Sequence, residues 1–160
     1  MDLYDQGDSN ADGAAARIAA AILAPLAGSA ITEDSVVRMG TYSLPRWKEL
    51  IDTLLKPIFF QQDGTLILWH RQDAHEAARF TSHLETNCRH NPLLSLPQKL
   101  DSAQLRTIEP GVADRFTQGL LLQNEGQLDN RQLLDALLSE LQILKVKCYW
   151  EPRAILHHKY

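Results

Sequence analysis

The sequence predicts an α+β fold with α/β character at its N-terminus. Strand-like and helix-like patterns follow one another in the order strand, helix, hairpin, helix, short helix, strand, helix, strand. The hairpin is indicated by Asp63-Gly64, because this dipeptide tolerates the positive φ that tight antiparallel turns require. Helices mixed with antiparallel pairing are typical of α+β or α/β domains.

The most regular apolar pattern lies between Gln123 and Leu144. An apolar run, Leu120–Leu122, is followed by the turn residues Asn124–Gly126. Asp129 or Asn130 can then cap a helix, because a short side-chain oxygen accepts a bond from a free backbone N–H. Leucines at helical spacing form its apolar face: Leu133, Leu134, Leu137, Leu138, Leu141 and Leu144. We expect a surface helix docked on a sheet.

The N-terminal part is predicted to begin with a strand tail, Met1–Asp5, and a polar turn at residues 7–13. The alanine-rich run Ala14–Leu23 has two interpretations. It is a plain helix of good helix formers, or its small side chains allow another element or a flat ligand to approach the backbone closely. Pro25 and Gly28 are expected to end it.

Thr32 is predicted to cap the next helix, which extends to Leu54. Pro45 either kinks this helix or starts a second one, because proline lacks the N–H that an interior position needs. The later predicted elements are the hairpin strands Ile58–Gln62 and Thr65–Trp69, helices at Asp73–Asn87 and after Asp101, and strands at Gly119–Gln123 and Lys145–Ile155.

Composition narrows the function classes. A chain of 160 residues with a hydrophobic share of 44% suits one compact unit with a real core. Its net charge of -4, without a basic run, argues against nucleic acid as a partner. The most apolar segment, Ala14–Ile31, is too weakly apolar for a membrane span, and no signal peptide is recognised. We therefore expect a cytoplasmic protein.

The sequence contains few motifs that indicate a specific chemistry. Cys88 and Cys148 are expected to be free thiols, and no His, Cys or acidic cluster has metal-ligand spacing. No nucleophile elbow, P-loop or zinc-protease motif is present. Glu109, Asp114 and Glu125 lie near turns, where carboxylates are usually solvated caps rather than catalytic groups. The residues by themselves therefore indicate an α+β domain and no specific reaction.

Four segments in a fixed order resemble a known family. They are LYDQGD at residues 3–8, GAAARIAAAILAP at 13–25, QQDGTLILWH at 61–70, and LRTIEPGV at 105–112 with GLLLQNEGQLDNRQLLDALL at 119–138. Together they resemble the D-amino-acid-oxidase-type FAD-dependent amine oxidoreductases, and within them the glycine oxidases of the thiamine-biosynthesis type. In that subgroup the last segment typically reads GEGQLDPRQL. The resemblance spans nearly the whole chain.

The resemblance implies an FAD cofactor and a set of cofactor-binding residues. Asp5, with Gln6 beside it, would lie at the strand end that binds the adenosine ribose. Other positions would meet the flavin, the diphosphate or the adenine mainly through the backbone: Ala15, Ala16, Ala20, Ala21, Ile22 and Ala154. The family usually has glycine at the position of Ala21, methionine at that of Ile22, and serine or threonine near Ala16. No catalytic residue is assigned.

The implied organisation divides the chain into three stretches. Residues 1–31 would belong to the FAD-binding segment, 32–128 to the substrate domain, and 129–160 to the return into the FAD domain. The implied reaction transfers a hydride from the α-carbon of a small amine or amino acid to the flavin. The imine product is then hydrolysed, and O2 reoxidises the flavin.

The glycine-rich phosphate turn of the family would precede Met1, and its substrate-binding half would follow Tyr160. We therefore expect this chain, purified alone, to bind FAD weakly or not at all, and a stoichiometrically yellow protein would contradict this. Two alternatives remain open. The chain is a non-catalytic module that has lost FAD, with open sheet edges that favour a homodimer, or it is one subunit of a split oxidase whose missing halves lie on a complementary chain.

Overall fold

The structure, a computed structural model, describes residues 1–112 and 114–150. These residues form two compact units. Among the described residues, the first unit comprises Met1–Ala21, Leu50–Phe59 and Leu128–Trp150, and the second comprises Ile22–Glu49 and Phe60–Gln127. The three functional stretches named above stay a prediction.

Strands and helices are mixed along the described residues, with parallel and antiparallel pairing, which confirms the predicted α+β class. The strands are β1 (Asp2–Asp5), β2 (Ile22–Leu23), β3 (Phe60–Gln61), β4 (Thr65–Leu68), β5 (Gln98–Asp101), β6 (Gln118–Leu122), β7 (Gly126–Leu128) and β8 (Lys147–Trp150). The helices are α1 (Ala15–Ile18), α2 (Pro25–Gly28), α3 (Asp34–Thr53), α4 (Ala74–His90), α5 (Ser102–Ile108) and α6 (Asn130–Ile143), with a 3-10 turn at Arg71–Asp73.

A parallel strand pair forms the sheet of the first unit. β1 pairs with β8 from Asp2 opposite Lys147 to Asp5 opposite Trp150. Tyr4 and Tyr149 stack across this pair, with ring centroids 4.7 Å apart and an interplanar angle of 8°. Parallel pairing is the α/β character expected at the N-terminus.

Helix α6 begins as the capping pattern predicts. The Asp129 carboxylate accepts hydrogen bonds from the backbone N–H groups of Arg131 and Gln132, both at 2.9 Å. Leu133 and Ala136 are the buried residues of this helix. The amphipathic spacing of the leucines therefore predicted the helix correctly, while Leu144 at its end is 70% exposed.

Two three-stranded sheets build the second unit. One has the order β2-β7-β3 and the other β4-β6-β5. The larger apolar cluster includes Leu84 of α4 together with Leu120 and Leu122 of β6. A smaller cluster contains Leu100 and Leu105, with Leu66, Leu68 and Leu121 packed against it. Because successive residues of a strand point to opposite faces, both faces of the β4-β6-β5 sheet are covered.

The predicted hairpin at Asp63-Gly64 is wrong. β3 pairs with β7 and β4 pairs with β6, so the two predicted hairpin strands belong to different sheets. Gly64, at φ 101°, donates its N–H to the carbonyl of Glu125 at 2.9 Å. A Cβ at Gly64 would lie 2.9 Å from the carbonyl oxygen of Leu122. The glycine therefore lets the chain pass close to a neighbouring segment instead of folding back on itself.

The alanine-rich run is not one helix. Only Ala15–Ile18 is helical, Ala19 is extended at ψ 149°, and Ile22–Leu23 forms a strand. Ala21 has φ 52°, which interrupts helical geometry. Pro25, expected to end a helix, begins α2 instead, where a missing N–H costs nothing.

Two further boundaries differ from expectation. The Thr32 hydroxyl donates to the carbonyl of Gly28 at 2.8 Å, and α3 begins only at Asp34. Pro45 lies inside α3, so it does not start a second helix. By contrast, Asp101 forms the predicted cap of α5, in a reciprocal capping box with Gln104.

Candidate cofactor-binding site

Asp5 closes the first parallel strand and opens a tight loop. Its Oδ1 accepts a hydrogen bond from the N–H of Gly7 at 2.7 Å. Asp8 makes the same kind of hydrogen bond, in which its Oδ1 accepts from the N–H of Asn10 at 3.0 Å. Short acidic side chains thus shape the loop through bonds to their own backbone. The carboxyl end of a parallel strand is the general place for ligands in open α/β sheets.

A cavity of about 700 Å³ lies at this end of β1. Its volume is in the range of small-molecule and cofactor sites. Its walls are the loop from Asp5 to Ala14, Trp150 of β8, and the leucine face of α6. Asp5, Asp8 and Asp135 all contribute to the lining. This acidic character suits hydroxyl donors, such as those of a sugar, and disfavours phosphate groups.

The small side chains of the alanine-rich run are open to solvent. No residue of α1 is buried, and Ala15, Ala16 and Ala20 are exposed, while Ala21 is half-buried. These methyl groups therefore do not fill a core. The close approach of a flat ligand to this run stays a prediction.

Backbone carbonyls of the run are already engaged. The Asn130 side chain donates to the carbonyls of Ala16 and Ala19, and the N–H of Leu128 donates to the carbonyl of Ala21 at 3.3 Å. Any ligand on this surface therefore meets N–H groups and methyl groups more readily than free carbonyls.

The structure brings only part of the predicted set into one place. Asp5 and Gln6 share the cavity, whereas the four predicted alanines do not line it. Those alanines belong to the same unit as Asp5. Ile22 lies in the second unit, 62% exposed and paired with Gln127. Ala154 lies outside the described residues.

Glu125 is the polar residue that sequence reasoning placed wrongly. It is 1% exposed rather than solvated, and its Oε1 accepts from the N–H of Ala27 at 2.8 Å. Oε2 has no hydrogen-bond partner among the described residues. Burial raises the pKa of the Glu125 carboxyl, and the bond from Ala27 opposes this rise only in part. The turn residues Asn124 and Gly126 on either side of Glu125 predicted an exposed position. No pattern in the neighbouring sequence indicates that this carboxylate is buried.

A metal site and a membrane-spanning helix are both absent from the residues that the structure describes. There, no group of three or more His, Cys, Asp or Glu side chains is placed to hold a metal ion. Within the same residues, no helix combines the length and apolar character needed to cross a bilayer. Cys88 and Cys148 are both free, and Cys88 is buried with its thiol near the carbonyl of Ser95.

Comparison with known proteins identifies the family. Residues 2–156 match the family described as FAD dependent oxidoreductase, also named DAO. A Rhizobium etli protein named as a thiamine biosynthesis oxidoreductase, ThiO, is 26% identical over 133 residues. That match covers 83% of this chain and 36% of the relative.

Solved structures share the fold. Glycine oxidase from Geobacillus kaustophilus superposes with a TM-score of 0.69 at 18% identity, covering 92% of this chain and 39% of that chain. Iminodiacetate oxidase from Chelativorans gives the same TM-score at 14% identity, with the same coverage. These likenesses confirm the predicted partial glycine oxidase fold, although this chain spans only 36–39% of the length of the relatives. Because the family match covers nearly every residue, the chain belongs to the FAD-dependent oxidoreductase family.

Proposed function

We propose that this chain supplies part of the FAD site of a cytoplasmic oxidoreductase that acts on glycine, a D-amino acid or a similar small amine. Asp5 and Gln6 bind the adenosine ribose, and the run from Ala15 to Ile22 meets the diphosphate and the flavin. The observation that carries the proposal is the position of Asp5, at the carboxyl end of a parallel strand and in the wall of an acidic cavity.

The residues fit this cofactor in two ways. One Asp5 oxygen holds the turn at Gly7, but a carboxylate has about four acceptor sites, so it can also accept from ribose hydroxyls. The exposed methyl groups of Ala15, Ala16 and Ala20 leave room for a planar group against the backbone. A residue with a long side chain at these positions would hold that group away.

Bound flavin would supply the redox chemistry, taking a hydride from the substrate and passing the electrons to O2. This chain's residues bind and orient the cofactor, and none of them is assigned a catalytic role. Support for an amine or amino-acid substrate comes from the names of the relatives, glycine oxidase and iminodiacetate oxidase.

The test is the binding of added FAD to the full chain. Scanning calorimetry measures the change in Tm, and equilibrium dialysis measures the affinity. With about 1 mM FAD and a Kd of about 100 μM, the folded state gains about 1.4 kcal/mol. The Tm should then rise by roughly 3–5 °C. Riboflavin, which lacks both the diphosphate and the adenosine of FAD, should give a smaller shift.

A matched pair of variants locates the adenosine site. Asp5→Asn keeps the shape but replaces an acceptor, and it should weaken FAD binding without changing riboflavin binding. Asp2→Asn, at the other end of β1 and also exposed, is the control and should behave as wild type. If FAD at 1 mM leaves the Tm unchanged, the non-catalytic module is favoured. If a shift appears only with a complementary polypeptide, the split oxidase is favoured.

A further inference from the structure

The first turn of α6 is joined to the alanine-rich run by side-chain hydrogen bonds. The Asn130 side-chain amide donates to the carbonyl of Ala19 at 2.7 Å and also to the carbonyl of Ala16. Arg131 adds a longer bond, from its Nε to the carbonyl of Arg17 at 3.4 Å. Three carbonyls within four residues are therefore bound by two adjacent side chains.

Helix α1 needs such support. It has four residues, no buried residue and no side-chain cap at its N-terminus. A helix this short is not stable alone, because nucleation costs more than its few bonds return. Its last carbonyls also have no partner inside the helix. One primary amide carries two N–H donors, so Asn130 can satisfy the Ala16 carbonyl of the helix and the Ala19 carbonyl just after it at the same time.

Asn130 is not needed to begin α6. Asp129 already caps that helix through the N–H groups of Arg131 and Gln132. In the related sequence pattern GEGQLDPRQL the position of Asn130 is proline, which has no donor and which suits the first residue of a helix. The bonds from Asn130 are therefore a property of this sequence and serve the alanine run rather than α6.

The Arg17 side chain adds a second attachment within the same unit. Its Nε lies 3.4 Å from Oδ1 of Asp12, and its Nη1 lies 3.7 Å from Oδ1 of Asp135 on α6. The arginine side chain is 27% exposed, so these ion pairs are partly shielded from solvent. They connect the loop before α1, α1 itself and α6.

We propose that Asn130 is a positioning residue that clamps the carbonyls of Ala16 and Ala19 and so fixes the alanine-rich run in one conformation. The consequence for FAD affinity rests on the proposed function. The ordering of residues 14–21 does not rest on it, so the two are measured separately.

Hydrogen exchange by mass spectrometry tests the clamp in the full chain. The reporter amides are Ala14, Arg17 and Ala19, whose N–H groups bond to Ala11, Ala14 and Ala15. In Asn130→Asp they should exchange about 5–30-fold faster, because each lost hydrogen bond changes an opening equilibrium by about fivefold. Asn130→Asp separates the two roles, since an acid at the start of α6 favours the helix while removing both donors. If Asn130 served only α6, this variant would exchange as wild type does.

Two further variants keep the test decisive. Asn130→Ala removes the donors without adding charge, and it decides the outcome if the Asp variant does not fold. Gln142→Ala, in the last turn of α6, is the matched control and should leave exchange in residues 14–21 unchanged. The clamp is overturned if exchange there is the same in Asn130→Ala, or if wild type shows no protection at these three amides.

Dialysis with FAD separates the failure of the clamp from that of the proposed function. Faster exchange with at least fivefold weaker FAD binding in Asn130→Ala supports both. Faster exchange in a chain that binds no FAD in any form supports the clamp and removes the proposed function. Unchanged exchange with intact FAD binding removes the clamp alone.

Discussion

Ala21 offers a direct test of the backbone geometry in the alanine-rich run. Its φ of 52° places an alanine in the left-handed region, where the Cβ crowds the backbone. This conformation costs a non-glycine residue roughly 1–2 kcal/mol. The related family usually has glycine at this position, and Ala21→Gly should therefore relieve strain in the folded chain.

The expected gain in the free energy of unfolding is smaller than the strain energy that is relieved. Glycine increases the conformational entropy of the unfolded chain, which costs about 0.4–1 kcal/mol. Loss of one half-buried methyl costs about 0.4 kcal/mol more, half the value of a fully buried group. Ala21→Gly should therefore raise the free energy of unfolding by about 0.5 kcal/mol. Ala16→Gly, at a helical position, has no strain to relieve and should lower it by about 0.5–1 kcal/mol.

Urea unfolding followed by tryptophan fluorescence measures the contrast. The two variants should differ by about 1–1.5 kcal/mol, which at a slope of about 2 kcal/mol per molar corresponds to a midpoint difference of roughly 0.5–0.75 M. Both slopes should equal that of wild type, since neither change alters the surface exposed on unfolding. Equal destabilisation by the two substitutions would refute the left-handed geometry at Ala21.

Two other predictions concern the connection between β6 and β7. Burial raises the pKa of Glu125, so the folded chain keeps a proton that the unfolded chain loses near pH 4.5. The free energy of unfolding should therefore fall as the pH rises from 4.5 through the raised pKa, and Glu125→Gln should flatten this fall in urea titrations at several pH values. In Gly126→Ala the new Cβ would collide with the carbonyl oxygen of Gln61, which should cost about 1–3 kcal/mol. Gly13→Ala, which meets open space, should stay within about 0.5 kcal/mol of wild type; similar losses in both would contradict the close approach at Gly126.

Local rules predicted the elements that depend on local bonds. Asp101 and Asp129 cap the helices that follow them, because a carboxylate reaches its own backbone two or three residues away whatever the rest of the fold does. The amphipathic helix α6 was also predicted, since its apolar spacing reports which face is covered. The strand β1 was predicted from the alternation of residues 1–5.

Pairing between strands could not be predicted in the same way. Asp63-Gly64 has the residues of a hairpin turn, yet the N–H of Gly64 bonds to Glu125, sixty-one positions further along. Whether the chain forms a hairpin at Gly64 or passes alongside another segment therefore depends on the pairing with Glu125. The same holds for the burial of Glu125, whose acceptor role depends on Ala27. The sequence shows that a glycine and a carboxylate are present. It does not show which distant segment packs against each of them, and that packing determines what they do.

Most residues of the stretch 125–130 pair with residues between Ala19 and Ala27. The contacts run in antiparallel order in each unit: Glu125 to Ala27, Gly126 to Leu23 and Gln127 to Ile22 in the second, then Leu128 to Ala21 and Asn130 to Ala19 in the first. Backbone pairing supplies the middle of this series, and side chains supply both ends. The segment NEGQLDN is therefore more than a loop that leads into a helix, because five of its seven residues pair with residues 19–27. Substitutions there should change the conformation and exchange of residues 14–27 before they change α6, which Asp129 caps independently.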